Sequence, residues 1–421
     1  MTDALGTEDL DANRRFDAAR PSTTPSGGGN GTASGTGAGA MLRLIRDGRA
    51  STRAELVALT GLARSTVAQR MDALLAQRLV IPAGASASTG GRPPKTFAFN
   101  RNAGVVLAAD LGATHSRVAV TDLAGDVTVE TRTDIPIADG PDTVLGWLEE
   151  TFDALLGEAG RERGDVRGIG VGIPGPVEFA TGTPVAPPIM PGWDGYGVAA
   201  RLRGRYGAPV LVDNDVNIMA LGEYWARWRD TDHLLFVKVG TGIGCGVITD
   251  GRIHRGAQGA AGDIGHIHVP DHDDVICRCG NIGCLEAIAG GGAMASRLSA
   301  LGVPAENSRD VVRHVRDGRP EALRLVRQAG RELGGVLASA VNFFNPGVIV
   351  IGGDMAHADE HLLAGVREVV YRRSTALATR SIRISRSTLD DRAGILGAAV
   401  MVTEAVLSPD AVDQAIAAGQ V

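Results

Sequence analysis

Residues 105–122 read VVLAADLGATHSRVAVTD, and residues 234–251 read LLFVKVGTGIGCGVITDG. Each stretch is an apolar run, then a turn rich in Gly and Thr, then a second apolar run that ends at a turn signal. A strand, a tight turn and a second strand are therefore predicted for both. Because the same plan recurs about 130 residues further on, the sequence predicts two similar lobes that face a common cleft.

The regions around these hairpins suggest more than one folding unit. A chain of 421 residues exceeds what one compact core usually contains. Residues 1–40 end in a run of Pro, Ser, Thr and Gly with too little apolar surface to offset the entropy lost on ordering, which predicts a disordered tail. A small separate domain is predicted for residues 41–99, an α/β body for 100–405 and a C-terminal tail for 406–421.

Charge is distributed unevenly between these parts. From Met41 to Lys95, nine basic residues stand against three acidic ones, a net charge of +6, whereas the rest of the chain carries −12 and the whole chain −6. A basic module on an acidic body is typical of a protein in which one part contacts phosphate groups. Lysine, on which phosphate-handling enzymes often rely, occurs only at Lys95 and Lys238.

The amino end lacks the cationic start and apolar run of a secretion signal, and no stretch reaches the roughly 18 apolar residues that span a bilayer. The expectation is a cytoplasmic protein with no membrane partner. Three of the four cysteines lie within eight positions. In a reducing compartment such crowding favours a metal site over disulfides.

Residues 41–99 contain a helix-turn-helix pattern. Thr52 and Glu55 match a capping box, so a helix is predicted to begin near Arg53 and to end at the turn glycine Gly61. A second helix is predicted from about Arg64, with a core stripe at Val67, Met71, Leu74 and Leu75.

The strand that begins at residues 79–81 and the segment GGRPPKTFAF at 90–99 complete a winged helix-turn-helix, which would read operator DNA in the major groove. Its polar face and wing supply side chains suited to base edges and phosphates, namely Arg64, Ser65, Thr66, Gln69, Arg70 and Arg92. The alternative is a three-helix bundle with a solvated basic face. The cap, the turn glycine, the stripe and the charge bias agree on the winged form.

A zinc site is predicted from His266, Cys277, Cys279 and Cys284, because three thiolates and one imidazole complete a tetrahedral coordination shell. No position remains open for water, so the zinc would be structural. Free buried thiols are the alternative, and the fourth ligand is open because other histidines lie nearby, at His254, His268 and His272. Cys245, alone in a Gly-rich turn, is predicted to be a packing residue.

Six motifs together resemble the ROK family of repressors and sugar kinases, over about residues 101–405. They are DLGAT (110–114), DNDVN (213–217), VGTGIG (239–244), GDIGH (262–266), CRCGNIGCLE (277–286) and PGVIVIGG (346–353). The cysteine motif with its trailing Leu-Glu is the most specific of them, and the winged helix-turn-helix is similar to that of the repressor branch. The resemblance implies an α/β, actin-like (ribonuclease H-like) fold with two lobes. It places a sugar in the cleft and, when bound, a nucleotide between the two hairpin turns.

The resemblance also implies roles for single residues. Asn214 and Asp215 match the pair that binds sugar hydroxyls, and Asp215 matches the general base of the kinases. The remaining sugar ligands are matched by Asp263, His266 and Glu286. ATP with magnesium, if bound, would contact Asp110, Gly112, Thr114, Gly240, Thr241, Gly242, Gly352 and Gly353. Asp215 can also be interpreted as the cap of the helix that follows it.

Two departures from the family pattern bear on catalysis. The first phosphate turn has Ala113-Thr114-His115 where kinases of the family carry Gly-Thr-Lys, and a mostly neutral His is a poorer phosphate clamp than Lys. Asp263 stands where Glu is usual and is one methylene shorter, which changes its reach. The first departure weakens the case for ATP use; neither removes the capacity to bind sugar.

Three functions are compatible with these features. The leading hypothesis is a repressor, a homodimer or homotetramer on operator DNA, controlled by a sugar or sugar phosphate. The second is an ATP-dependent hexose kinase that also binds DNA, with Asp215 as general base. The third is a constitutive DNA-binding protein with a vestigial pocket.

Overall fold

The structure, a computed structural model, describes residues 37–85, 95–358 and 360–419. These residues divide into two compact units. The first contains the described residues up to 103 together with those from 404 onward, and the second contains residues 104–403. The division between the units falls between residues 103 and 104, and the end of the chain groups with the amino-terminal unit.

The first unit consists of five helices and strands from the amino-terminal part of the chain and one helix from its end. They are α1 (Ala38–Arg46), α2 (Arg53–Thr60), α3 (Arg64–Ala76), β1 (Val80–Ala85), β2 (Lys95–Phe99) and α14 (Pro409–Ala418). Strands β1 and β2 pair antiparallel, with an irregularity between Pro82 and Gly84. Three helices followed by this two-stranded sheet form a winged helix-turn-helix, as predicted.

Local sequence explains where α2 begins and ends. The Thr52 hydroxyl accepts from the Glu55 N–H at 3.2 Å, and the Glu55 carboxylate accepts from the Thr52 N–H at 3.0 Å, which confirms the capping box. Gly61 ends the helix at φ +69°, a conformation that costs glycine little. In α3 the predicted stripe is buried at Val67, Met71 and Leu74, while Leu75 is half-buried.

Two boundaries differ from the sequence predictions. The tail expected for residues 1–40 ends earlier, since α1 begins at Ala38; residues 1–36 lie outside the described part of the chain. Residues 406–421 were expected to form a tail, but α14 occupies most of them. Its start is encoded locally: the Ser408 hydroxyl accepts from the Ala411 N–H, and Pro409 takes the first helical position.

The second unit contains two five-stranded sheets with the same plan. One has the order β5-β4-β3-β6-β9 and the other β12-β11-β10-β13-β14; in each, the first three strands along the chain pair antiparallel and the last two pair parallel. The strands of the first sheet are β3 (Val105–Leu111), β4 (Ser116–Asp122), β5 (Val127–Thr133), β6 (Val166–Ile173) and β9 (Val210–Asn214). Those of the second are β10 (Leu234–Val239), β11 (Ile243–Thr249), β12 (Arg252–Ile253), β13 (Val348–Gly352) and β14 (Arg383–Arg386). The repeated hairpin and the two-lobed architecture are thereby confirmed.

Helices fill the spaces around these sheets, and a short hairpin, β7 (Val177–Glu178) with β8 (Thr183–Pro184), follows β6. The helices are α4 (Pro141–Glu158), α5 (Val198–Tyr206), α6 (Asp215–Arg227), α7 (Leu285–Ala289), α8 (Gly291–Ala300), α9 (Ser308–Arg316), α10 (Pro320–Phe344), α11 (Glu360–Arg373), α12 (Ala376–Thr379) and α13 (Ala393–Val406). Helix α6 contacts strands of both sheets, so the side chains at its start lie where the lobes meet.

Separate cores of Val, Leu and Ile stabilise the two lobes. Within the described residues no single helix is both long and apolar enough to cross a bilayer; only the pair 390–406 and 409–418, taken together across a 57° bend, has the length and composition.

Candidate functional site

A cavity of about 1290 Å³ lies in the second unit and is lined by both lobes. It exceeds the roughly 300–1,000 Å³ that is usual for small-molecule sites. Every residue that the sequence suggests for sugar or nucleotide contacts lines it: Asp110, Gly112, Thr114, Asn214, Asp215, Gly240, Thr241, Gly242, Asp263, His266, Glu286, Gly352 and Gly353. The space beside these side chains is open, which a sugar site requires.

The junction of β9 and α6 positions Asp215. Asn214 is the residue that caps the helix: its side-chain oxygen accepts from the Val216 N–H at 2.9 Å and the Asn217 N–H at 3.4 Å. The interpretation of Asp215 as the cap is therefore wrong, because the preceding residue fills that role. Asp215 is the first helical residue, and its side chain is only 4% exposed.

Asn214 has little hydrogen-bonding capacity left for a ligand. Its amide nitrogen donates to the Gly175 carbonyl at 2.9 Å, and its oxygen serves the helix cap. An Asn side chain has two N–H donors and one oxygen acceptor. One N–H therefore remains available to a bound hydroxyl.

Lys238 of β10 makes an ion pair that the sequence reasoning missed. Its Nζ donates to Oδ2 of Asp215 at 2.5 Å, in a part-buried setting. Burial by itself would lower the pKa of the Lys238 ammonium, but the charges of Asp215 and Asp110 and the hydrogen bond raise it. A signal was present in the sequence, because this single charged residue interrupts an otherwise apolar strand just before a Gly-rich turn.

Asp110, at the end of β3, is the second carboxylate of this part of the cavity. Burial raises its pKa to about 7; the Lys238 charge opposes the rise, and the Asp215 charge adds to it. A Cβ placed on Gly394 of α13 would come within 1.9 Å of the Asp110 carboxylate. The glycine thus permits the close approach of α13 to this side chain.

A second ion pair, between Arg255 and Asp213, was also not predicted from the sequence. It stabilises the start of α6 but involves none of the residues predicted to contact a ligand. The buried Asp213 carboxylate accepts from the Asn217 amide at 2.8 Å and from the Arg255 guanidinium at 2.7 and 2.8 Å. Arg255 stacks 3.6 Å above the Phe179 ring. These contacts hold the β9–α6 junction against the loop after β12 and the β7–β8 hairpin.

The predicted zinc ligands converge. The side-chain ligand atoms of His266, Cys277, Cys279 and Cys284 all lie within 4.8 Å of one another. Cys279 Sγ and Cys284 Sγ are 3.7 Å apart, and Cys277 Sγ is 3.8 Å from His266 Nδ1. A tetrahedral metal with bonds of about 2.3 Å to sulfur separates its ligand atoms by roughly this distance. The group can therefore hold a metal ion.

Two of the alternative histidines, His268 and His272, lie beside carboxylates rather than in the ligand group. His268 Nε2 lies 3.1 Å from Asp273 Oδ1, and His272 Nε2 lies 3.8 Å from Glu332 Oε1. Cys245 is buried in β11, where burial raises the pKa of its thiol to about 12. It is thus placed as a packing residue.

His266 connects the group of four candidate metal ligands to the cavity. Its Nδ1 faces the thiols, while its Nε2 lies 3.9 Å from Asp263 Oδ1 at the cavity wall. Glu286, in the first turn of α7, accepts from the Ile243 N–H at 3.1 Å and packs on Gly242. Residues 277–284, here called the cysteine hairpin, are thereby connected to the Gly240–Gly242 turn.

The first hairpin turn ends in His115 rather than Lys. His115 Nδ1 lies 3.2 Å from the Thr114 hydroxyl. Burial, followed by the nearby Arg309 charge, lowers the pKa of His115 below its ordinary value. A neutral imidazole results at pH 7, and it offers no positive charge to a phosphate.

The residues predicted to contact DNA lie along α3 of the first unit. Arg64, Ser65 and Gln69 are exposed, and Thr66 and Arg70 are half-buried. Arg92 lies outside the described residues. The exposed set occupies the start of the second helix of the motif, the part that such motifs direct at base edges.

The chain is similar to transcriptional regulators and to a sugar kinase, over different shares of its length. A xylose repressor of Caldicellulosiruptor bescii is 30% identical over 382 residues, which cover 87% of this chain and 95% of that protein. The crystal structure of a ROK family transcriptional regulator, a homologue of the Escherichia coli MLC protein, superposes with a TM-score of 0.78. It is 25% identical and covers 92% of this chain and 99% of its own.

A solved ROK hexokinase from Thermus thermophilus is 33% identical, with a TM-score of 0.59, and covers 71% of this chain and 97% of its own. The likeness to the regulators thus extends over more of the chain than the likeness to the kinase. The ROK family model itself matches residues 106–405, the segment that forms the two-lobed unit. Since the family's motifs meet in one cleft and relatives match most of its length, the chain belongs to the ROK family.

Proposed function

We propose that this chain is a sugar-responsive transcriptional repressor, which binds operator DNA through α3 and a sugar or sugar phosphate in the cavity of its ROK unit. The observation that carries the proposal is the coexistence, in one chain, of a winged helix-turn-helix and an open cavity lined by Asp215, His266 and Glu286. Likeness to xylose repressors and to an MLC-like regulator over most of the chain supports it.

In this proposal the sugar is recognised by hydrogen bonds. The carboxylates of Asp215, Asp263 and Glu286 accept from sugar hydroxyls, the remaining Asn214 N–H donates to one, and His266 Nε2 faces the cavity. Both lobes line the cavity, so a bound sugar favours one arrangement of the lobes over another. A differential affinity of about 1–3 kcal/mol between two states changes operator affinity 5- to 150-fold.

Zinc is the metal that suits the donor set. Three thiolates and one imidazole leave no open position, so the ion would be structural rather than catalytic. It would fix the orientation of His266 through Nδ1 and leave Nε2 for the ligand. The repressor is proposed to act in the cytoplasm as a homodimer or homotetramer, because paired recognition helices match the two halves of a palindromic operator.

The test has two arms and uses the full chain. Duplexes selected from a random library give the operator, and calorimetry with D-xylose, D-glucose and their phosphates gives the sugar. We expect one selected palindrome, and one sugar that binds once per chain and no longer binds to Asp215→Asn. Selection without enrichment would overturn the DNA half, and the absence of heat with every sugar would favour a constitutive DNA-binding protein.

A hexose kinase is the second candidate, favoured by one observation: Asp110, Thr114 and the Gly240–Gly242 turn are retained and line the cavity. Asp215 would then take the proton of the accepting hydroxyl. Release of ADP in the presence of sugar and magnesium, abolished in Asp215→Asn, would establish this function. We expect no such release.

A further inference from the structure

Lys238 is one of only two lysines in 421 residues, and it lines the cleft between the lobes. Its neighbours in β10 are buried and apolar: Leu235, Phe236, Val237 and Val239. A lysine in such a strand costs free energy unless its charge is paired. Its presence therefore calls for a partner, and the cavity supplies two.

Both partners are carboxylates of the first sheet's lobe, since Asp110 lies in β3 and Asp215 directly follows β9, whereas Lys238 belongs to the second sheet. Asp215 receives the ammonium hydrogen bond at 2.5 Å, and its side chain is 4% exposed. Asp110 lines the same cavity, and its negative charge is one of the causes that raise the pKa of the Lys238 ammonium. The other charged groups that act on this pair include both signs: Arg117, Asp354 and Asp391.

Phosphoryl transfer from a nucleotide requires two things of such a site. A divalent cation must neutralise the phosphates, and it is commonly held by carboxylates. A carboxylate must also be free to take the proton of the attacking hydroxyl. Here a fixed ammonium holds the Asp215 oxygen and repels a second cation from the same carboxylates.

We propose that the Lys238 ammonium takes the place of a divalent cation between Asp110 and Asp215, so that the cleft retains a charged carboxylate for binding a sugar but excludes the metal that turnover requires. The inference rests on the proposed function in one respect, namely that the cavity binds a sugar. It assigns to Lys238 the role of the residue that separates binding from catalysis.

The arrangement also suits recognition. Oδ2 of Asp215 accepts the hydrogen bond from Lys238, and the second carboxylate oxygen remains for a sugar hydroxyl. The Lys238 side chain is 26% exposed, and an ammonium carries three donors. A donor beyond the one given to Asp215 can therefore reach a second hydroxyl of the ligand.

The proposal is tested with Mn²⁺ alone as a probe of the carboxylates, followed by the loss of its free electron paramagnetic resonance signal. The protein is first saturated with zinc, because the thiolate group prefers zinc to manganese. Four chains are compared: wild type, Lys238→Met, Lys238→Arg and the double variant Lys238→Met/Asp110→Asn. Lys95→Met, which removes the only other lysine, is the matched control.

We expect wild type, Lys238→Arg and Lys95→Met to bind no Mn²⁺ in the cleft. Lys238→Met should bind one Mn²⁺ per chain, at least roughly a hundredfold more tightly than wild type, because two carboxylates lose their fixed cation. The double variant should lose that site again. Circular dichroism establishes whether each variant is folded. If Lys238→Met does not fold, Lys238→Arg still tests the proposal, because it keeps the positive charge and should bind no Mn²⁺.

Binding of one Mn²⁺ per chain to wild type or Lys238→Arg as tightly as to Lys238→Met would overturn the proposal, as would a folded Lys238→Met without a gain in Mn²⁺ affinity over wild type. Calorimetry with D-xylose and D-glucose on the same chains separates this result from the proposed function. If Lys238→Met gains a Mn²⁺ site but no chain binds sugar, the proposed function is wrong, and the proposal that Lys238 takes the place of a divalent cation still holds. Sugar binding without Mn²⁺ gain would do the reverse.

Discussion

The Glu286 carboxylate accepts a hydrogen bond from the Ile243 backbone N–H at 3.1 Å. Glu286 follows Cys284 by two residues, and Ile243 begins β11 directly after the Gly240–Gly242 turn. A Cβ on Gly242 would come within 2.1 Å of the same carboxylate, so the contact is close on both sides. The segment that carries the cysteines is therefore in direct contact with the Gly240–Gly242 turn of the second lobe.

Loss of the metal is expected to weaken sugar binding through this connection. Cys279→Ser removes one of four ligands and should lower the bound zinc, measured by atomic absorption, to well below one per chain. Outer-shell changes at metal sites alone cost roughly 10- to 100-fold in affinity or activity, and loss of a ligand should cost at least as much. Sugar affinity and the unfolding temperature should fall with it.

Cys245→Ala is the matched control for this substitution, since Cys245 is a buried cysteine apart from the ligand group. Its zinc content should equal that of wild type. Full zinc in Cys279→Ser, or equal loss in both variants, would contradict the assigned ligand set.

Gly397→Ala should destabilise the two-lobed unit strongly. A Cβ at this position of α13 would lie 1.7 Å from the Ile218 carbonyl oxygen of α6, which cannot move without shifting the helix that begins with Asp215. Overpacking typically costs about 1–3 kcal/mol, and the close approach to a backbone oxygen should place this site at the upper end of that range. Gly157→Ala, at a helical glycine with open space around it, should raise stability by up to about 1 kcal/mol. The free energies of unfolding of both variants, measured by chemical denaturation, test this prediction. Equal changes in the two variants would contradict the packing described.

Asp413→Ala should loosen the first unit. The Asp413 carboxylate accepts from the Gly39 N–H at 2.9 Å and so fastens α14 to the start of α1. Removal of the bond should cost about 1 kcal/mol and speed hydrogen exchange at the Gly39 amide. Asp410→Ala, in the first turn of the same helix, is the comparison. Exchange at Gly39 that is unchanged by Asp413→Ala would argue against the docked helix.

Asp110 should give stability a specific dependence on pH. Its pKa is raised from an ordinary 3.8 to about 7 in the folded chain, mainly by burial. The folded state therefore binds more protons than the unfolded state between these values, and the contribution of this group is greatest below pH 4 and is lost as the pH rises through 7. As the pH rises from 4 to 8, the free energy of unfolding of Asp110→Asn should increase by roughly 2–4 kcal/mol relative to that of wild type. A difference between the two chains that stays constant across this range would contradict the shift.

Patterns local in sequence were the ones that predicted structure well. The capping box at Thr52, the turn glycine at Gly61 and the repeated hairpins depend on neighbours a few residues apart, so their geometry can be inferred from residue order alone. The cysteine hairpin is similarly compact. Its convergence with His266 also follows from the short spacing between them.

Contacts between distant segments could not be inferred in this way. Lys238 and Asp215 are 23 residues apart on different elements, and Arg255 reaches Asp213 across 42 residues. Helix α14 was missed because its partner, α1, lies at the other end of the chain. The role of Asn214 as cap, which displaces Asp215 from it, also required the backbone geometry of the β9–α6 junction.

The most direct test of sugar control is the affinity of the full chain for its selected operator, measured by fluorescence anisotropy with and without the sugar found by calorimetry. We expect the sugar to change the dissociation constant 5- to 150-fold, the range of a coupling free energy of about 1–3 kcal/mol. Asp215→Asn should bind the operator as wild type does and show no response to the sugar. An operator affinity that is the same at zero and saturating sugar in the wild-type chain would contradict the account.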